Sequence, residues 1–212
     1  MLQNSTILIT GGTGFFGRAL LHQLGSLRFA NENTNFEKVT VVSRSPEKFL
    51  QKYPSLANKA WLILHAGNVL CPSTLPKNEN YHFIIHAATD STDTSALTPL
   101  HVYQQIVDGT ENMLKFAATC GATRFLFTSS GGAYGPQPAE MESIPESHNS
   151  MPDPLNPFNA YGVAKRQAEH LCSLYGQKYG IETVIARCFA FVGHDLPRNA
   201  HFAIGNFIRD AI

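Results

Sequence analysis

Two groups of residues in this chain carry chemistry by their type and spacing. The first is Gly11-Gly12-Thr13-Gly14-Phe15-Phe16-Gly17, which follows the apolar run Ile7-Leu8-Ile9-Thr10 and leads into Arg18-Ala19-Leu20-Leu21. Glycine lets a chain turn sharply, lets backbone approach a pyrophosphate and lets a helix pack close to a strand, while helix N–H groups attract the anion. Counted from Gly12 the string reads G-x-G-x-x-G, and from Gly11 it reads G-x-x-G-x-x-G. Between a strand and a helix this is the pattern of a dinucleotide-phosphate loop; a plain tight strand-to-helix turn is the alternative. The second group is Tyr161-Gly162-Val163-Ala164-Lys165, where a spacing of four on a helix puts phenol and ammonium on one face. A free tyrosine titrates near 10, too high for a base at neutral pH, but a nearby ammonium and an oxidised nicotinamide both favour the phenolate. Taken by itself, Y-x-x-x-K is also an ordinary helix surface pair.

A third position bears on the choice of dinucleotide. An Asp or Glu roughly 20 residues beyond the glycines would bind the ribose hydroxyls of NAD. The second apolar run instead ends Val41-Val42-Ser43-Arg44-Ser45. A guanidinium flanked by hydroxyls receives a 2′-phosphate that a carboxylate would repel, so the sequence leans to NADP over NAD. Arg44 solvating the head of the next helix is the alternative.

These groups need a scaffold, and the rest of the chain supplies one. Short β-branched runs alternate with longer segments of helical periodicity, the pattern of a parallel sheet covered by helices on both faces. Strands are predicted at Ile7–Thr10, Val39–Ser43, Trp61–His65, Phe83–His86, Phe125–Ser129 and Thr183–Cys188, and helices at about 15–27, 46–52, 100–119, 159–179 and 201–211. The implied fold is α/β, a doubly wound sheet in strand order 3-2-1-4-5-6. Between Gly135 and Phe158 the rhythm breaks, because six of the 12 prolines fall there. A connection that long without its own secondary structure reads as a lid or substrate-binding loop. The chain stops at Ile212 inside an amphipathic segment begun near His201, so its end reads as cut.

Composition narrows the partners. The 212 residues hold 16 Lys plus Arg and 16 Asp plus Glu, so no basic field exists to hold nucleic acid or an anionic bilayer. The 15% charged share lies below the roughly 25% usual in soluble domains, which suggests apolar surface covered by another subunit or a missing segment. No stretch approaches the roughly 18 apolar residues of a membrane helix, and Met1 to Ser5 has no basic leader. Cys71, Cys120, Cys172 and Cys188 form no C-x-x-C pair and read as reduced thiols. A cytoplasmic enzyme or binding protein acting on small molecules or protein is the default.

At this point the motifs resemble a family: the short-chain dehydrogenase/reductase superfamily, in its extended NAD-dependent epimerase/dehydratase branch acting on nucleotide sugars. Thr10 to Gly17 fits the branch's T-G-x-x-G-F-x-G, His86-Ala87-Ala88 resembles its H-x-A-A-type cofactor wall, and Thr128 to Gly135 resembles its S-S-x-x-V-Y-G turn. Tyr161 to Lys165 fits Y-x-x-x-K, and Arg187-Cys188-Phe189-Ala190-Phe191-Val192-Gly193 resembles R-x-F-N-x-x-G. The resemblance implies a Rossmann-like NAD(P)-binding domain over residues 1–193, with 194–212 the start of a substrate lobe that is largely absent. It implies cofactor contacts at Gly11, Gly14, Phe15, Phe16, Gly17, Ser43, Arg44, Asn68, Val69, Ala87, Ala88, Tyr161 and Lys165. It makes Tyr161 the acid/base on a sugar hydroxyl, Lys165 the group that lowers its pKa and holds the nicotinamide ribose, and Ser130 the hydroxyl that orients the substrate oxygen. Ser129 or Thr128 stands close enough in sequence to serve instead. The implied reaction is hydride transfer through a keto intermediate; with so little of the lobe, dinucleotide binding with weak or absent sugar turnover is expected. A cofactor-binding sensor or assembly protein of the same fold, without turnover, is the alternative.

Departures from the branch pattern sharpen the expectation. Where its 4,6-dehydratases carry Asp-Glu after the catalytic hydroxyl, this chain has Gly131-Gly132, which disfavours elimination and leaves epimerisation or keto-sugar redox chemistry. Ala190 replaces the expected Asn, His194 the expected Pro, Ile106 an Asn, and Asn68 the Asp that receives the adenine amino group. His82 and His86 share a strand face as a metal pair would, but no third ligand converges, so no metal is expected. Asp90, Asp93, Glu140 and Glu142 read as solvated loop charges, and Glu169 as a brace for Lys165 or a solvent-facing residue. The apolar face of 100–119, with Val102, Ile106, Met113, Leu114 and Ala117, is either core or the contact of a homodimer formed with 159–179.

Overall fold

The computed structural model describes residues 2–28, 30, 34–89, 97–193, 196 and 203–211, without the side chains of 203–205 and 208. Asp90, Asp93, His194, His201 and Ile212 lie outside these described residues. Strands β1 (Thr6–Thr10), β2 (Lys38–Ser43), β3 (Leu62–Ala66), β4 (Phe83–His86), β5 (Arg124–Ser130) and β6 (Glu182–Cys188) form one parallel sheet. Their order is β3-β2-β1-β4-β5-β6, as the alternating pattern implies. Helices α1 (Phe15–Leu27), α2 (Pro46–Lys52), α3 (Pro99–Thr119), α4 (Ala160–Tyr179) and α5 (Ala203–Asp210) complete the elements. The order reverses between β1 and β4, so the connections leaving these strands part and open a crevice at the carboxyl edge of the sheet.

Each face of the sheet has its own core. Ile7, Ile9, Val39 and Val41 pack under α1 and α2 with Leu21, Leu24, Phe36, Phe49 and Trp61. On the other face Leu8, Ile84, Phe125 and Phe127 pack under α3 and α4, against Ile106, Met113, Leu114, Ala117, Ala164, Ala168 and Cys172. The apolar face of α3 is therefore core within a single chain, which resolves one of the two readings open for it; Val102, one turn earlier, lines the crevice. Burial on both sides explains the unbroken apolar run of β1, all five residues of which are buried.

Element ends follow local chemistry. Pro99 opens α3 at a position where a helix needs no donor, and the preceding Thr98 Oγ accepts the backbone N–H of His101. β3 begins one residue later than the sequence suggests; the Trp61 carbonyl accepts the Val39 N–H, but its ring turns under the sheet, edge-on to Phe36 at 5.7 Å. The 135–158 segment is a loop, tied down by Arg166 Nη2 donating to Asn149 Oδ1 and by His148 packing on Tyr134. Among the described residues no helix is long and apolar enough to cross a membrane.

Candidate active site

The glycine loop is built by exclusion of side chains. Gly11 has φ +73°, and a Cβ there would stand 2.3 Å from the Ala87 carbonyl oxygen. A Cβ on Gly17 would stand 2.3 Å from both the Gly11 oxygen and the Gly12 Cα, so the first turn of α1 lies directly against the loop. Gly14 caps α1 with extended backbone and without a side-chain cap, leaving the helix N-terminus facing the crevice. A cradle that any Cβ would fill, backed by a helix dipole, fits the pyrophosphate of a dinucleotide. Next to it, Thr10 fixes the wall: its carbonyl accepts the Ala87 N–H and its hydroxyl accepts the Ala88 N–H and bonds His86 Nδ1 at 2.7 Å. His86 is fully buried against Phe127, and burial with the nearby Lys165 charge holds its pKa down to about 3, so it is neutral.

Across the crevice, strand alternation separates three neighbouring hydroxyls. Thr128 donates to the His86 carbonyl, Ser129 turns under α4 to Glu169, and Ser130 Oγ accepts the Gly132 N–H at 3.1 Å while acting on the Tyr161 phenol, whose pKa it lowers. All three line the same cleft, and Ser130 is the one of them that acts on the Tyr161 phenol. Lys165 is 2% exposed and donates to Thr89 Oγ1 at 3.0 Å and to the Thr128 carbonyl at 2.8 Å. Its ammonium lies 4.8 Å from the Phe127 ring centroid and 5.7 Å from that of Tyr161. Burial brings the Lys165 pKa down to about 8, with Cys188 and Glu169 opposing it. Burial also pushes the Tyr161 phenol up, which Ser130 opposes. The expected lowering of the phenol by Lys165 is therefore not a property of this arrangement by itself: burial is the largest influence on the phenol, and the ammonium is not among the groups that shift it.

Phe15, Phe16, Ala87, Ser130, Tyr161 and Lys165 all line one cleft of about 550 Å³, together with Cys188 and Phe189. The remaining expected contacts lie along the same sheet edge but outside that cleft. Ser43 ends β2, its carbonyl accepting the Gly67 N–H, and Arg44 follows it at the surface. Asn68 and Val69 follow β3; the Asn68 side-chain oxygen already accepts the Leu70 N–H at 3.0 Å, leaving one lone pair for a ligand. The Val69 carbonyl accepts from Asn112.

Three features escape a reading of the sequence. Glu169 neither faces solvent nor hydrogen-bonds Lys165: it is 6% exposed and accepts both arms of the Arg187 guanidinium, at 2.8 and 2.7 Å. Thr89 holds Lys165, although nothing in its spacing marks it. Phe189 lies on Gly131, where a Cβ would meet the ring at 2.4 Å, so an aromatic ring takes the space that a side chain at 131 would need. Arg187 was visible inside its motif, but its partner stands 18 residues away and only the packing of α4 on β6 joins them. His82 and His86 bond Thr6 and Thr10 respectively, and no metal-ligand cluster forms among the described residues.

Comparisons with known proteins agree with this geometry. UDP-glucuronic acid decarboxylase 5 of Arabidopsis thaliana is 31% identical over 209 residues, covering 99% of this chain and 58% of that protein. UDP-glucose 4-epimerase of Rhizobium meliloti is 28% identical over 200 residues, covering 92% and 54%. A UDP-galactose 4-epimerase structure superposes with a TM-score of 0.74 at 25% identity, over 97% of this chain and 62% of that one. A UDP-glucuronic acid 4-epimerase from Bacillus cereus, solved in complex with NAD, shares the fold at a TM-score of 0.71 and 22% identity, over 97% and 62%. The chain spans about half the length of the curated relatives it matches. A family profile matches residues 7–212, and the chain belongs to the NAD dependent epimerase/dehydratase family.

Proposed function

We propose that this chain binds NAD(P) across the crevice and, with Ser130, Tyr161 and Lys165, moves a hydride to or from a carbon of a nucleotide sugar. The observation that supports this most is the convergence of Ser130, Tyr161 and Lys165 in one cleft with Phe15 and Phe16 of the glycine loop. Bound NAD(P) would supply the hydride acceptor or donor and, when oxidised, a positive charge favouring the phenolate. Tyr161 takes the proton of the sugar hydroxyl, Ser130, which acts on the phenol, orients that oxygen, and Lys165 holds the ribose. Because Gly131 and Gly132 offer no proton donor and Phe189 fills the space beside them, the reading is epimerisation or keto-sugar redox chemistry, not elimination.

The proposed dinucleotide is NADP, on the exposed Arg44 and its flanking serines at the end of β2. Leu174 and Tyr179, exposed on α4, keep a homodimer through α3 and α4 within the proposal, and sedimentation decides it.

The test combines calorimetry with NADPH and NADH and turnover of UDP-glucose and UDP-glucuronic acid, followed at the nicotinamide absorbance. Tyr161→Phe is expected to lose about 10²-fold or more in turnover while holding NADPH as wild type does. Arg44→Ala is expected to lose the preference for NADPH; an unchanged preference refutes the NADP assignment. Dinucleotide binding without turnover in the wild type would favour the non-catalytic sensor or assembly protein.

A further inference from the structure

The cleft is shaped from below by a buried charge network that the hydride-transfer chemistry does not itself use. Glu169 stands on α4 one turn after Lys165 and two after Tyr161. Its Oε1 accepts the Ser129 hydroxyl at 2.5 Å and Arg187 Nε at 2.8 Å, and its Oε2 accepts Arg187 Nη2 at 2.7 Å. The Arg187 guanidinium lies 4.2 Å from the centroid of Tyr134, which in turn stacks on Phe189. One carboxylate thus ties together α4, β5 and β6. Each of these carries a cleft residue immediately beside the tie: Lys165 on α4, Ser130 next to Ser129, and Cys188 next to Arg187.

A buried ion pair is a poor device for stability alone. Taking two charges out of water costs about what their attraction returns, and apolar pairs of similar volume often hold a fold as well or better. A bidentate fork fixes distance and angle in a way that an apolar contact cannot. We propose that Glu169, held by Arg187 and Ser129, is a positioning residue: it keeps Ser130, Tyr161 and Lys165 in register and sets a fixed negative charge one turn from the Lys165 ammonium. The inference rests on the reading of those three as the reactive group. The ionisable groups acting on Lys165 are Glu169 and Tyr161 on its own helix, Cys188 from β6 and His86 from β4. Only the carboxylate carries a permanent negative charge at neutral pH, since His86 is neutral and burial raises both the phenol and the thiol.

Three proteins decide the matter: wild type, Glu169→Gln, and the paired variant E169L/R187M, each labelled with 13Cε-lysine. The Lys165 resonance, assigned by its loss in Lys165→Met, reads the ammonium without any sugar. In Glu169→Gln its titration is expected to move below the wild-type value, because the carboxylate is gone and Arg187 is left unpaired. E169L/R187M is expected to melt where wild type melts, or higher, with the Lys165 titration again lowered. With UDP-glucose and NADP, kcat is expected to fall about 10²-fold in both while KM and NADPH affinity hold. An unmoved Lys165 titration in the folded variants, or wild-type turnover by E169L/R187M, overturns the proposal. If Glu169→Gln fails to fold, the paired variant alone decides. Wild type without turnover on either sugar counts against the hydride-transfer reading, and the Lys165 titration still tests the role of Glu169.

Discussion

The two halves of the sheet are built on opposite rules. Around β1–β3 the core is Ile7, Ile9, Val39 and Val41, the polar side chains buried within these strands are the uncharged Thr6, Thr10 and Thr40, and above them lies a loop whose glycines leave no room for a Cβ. Around β4–β6 the apolar core of Ile84, Phe125 and Phe127 also encloses titratable and hydrogen-bonding groups, with His86, Ser129, Lys165 and Glu169 all buried, while apolar residues such as Phe189 and Val184 stand 64% and 45% exposed. In the proposed function the first half binds by shape, so any atom added to its glycines harms it. In the same proposal the second half works through charge and proton position, so changes in protonation should reach it first.

Substitutions in the loop should therefore have the largest effect. Gly17→Ala puts a methyl group 2.3 Å from Gly11 and Gly12 backbone atoms, which cannot yield as a flexible side chain would. Overpacking of this kind costs about 1–3 kcal/mol of stability. The expected outcome is loss of NADPH binding below calorimetric detection in a protein that still folds. Retained binding would mean that the helix does not lie against the loop in solution, and the contrast between the halves would fail at its first term.

After the loss of binding come two pH effects on stability in the second half. The His86 pKa falls from 6.5 to about 3 on burial, so between these values the unfolded chain binds a proton that the folded chain refuses. Its contribution is complete above pH 6.5 and is lost as pH falls towards 3, on the order of 4 kcal/mol. Urea unfolding of His86→Asn should show a shallower acid slope over that window. Lys165 gives the same sign at the other end, since its pKa falls from 10.5 to about 8. Stability should rise between pH 8 and 10 by an amount on the order of 2 kcal/mol, a rise that Lys165→Met removes. Equal slopes in wild type and variant would mean that the lysine is hydrated and that the second half is not a dry polar interior.

The same contrast explains what the sequence displayed. The glycine loop, the strand order and the Tyr161–Lys165 pair were legible because each constraint lies within one strand-turn-helix or one helical turn. The Glu169–Arg187 tie was not, because a carboxylate one turn beyond a lysine reads as an ordinary surface pair until β6 is laid beside β5. Telling Ser129, which bonds Glu169, from Thr128 and Ser130 likewise required knowing which side of β5 faces α4. Phe189 over Gly131 was hidden for the same reason: the two are 58 residues apart and meet only where the end of β6 passes the end of β5. Local rules supplied the cradle, and pairing across the sheet supplied the chemistry beside it.

The smallest effect is also the sharpest comparison, because it sets two valines of parallel strands against each other. Val41 in β2 is fully buried and its methyl groups lie beneath Gly12. Val41→Ala removes core contacts and leaves a cavity under the loop, at a cost of about 2 kcal/mol by urea unfolding. Val184 in β6 is 45% exposed on the opposite half of the sheet, and Val184→Thr exchanges a methyl for a hydroxyl that water can solvate. That change should stay within about 0.5 kcal/mol. Should Val184→Thr cost as much as Val41→Ala, the outer face of β6 must be covered in solution, and the open, polar character assigned to the second half would apply only to its crevice.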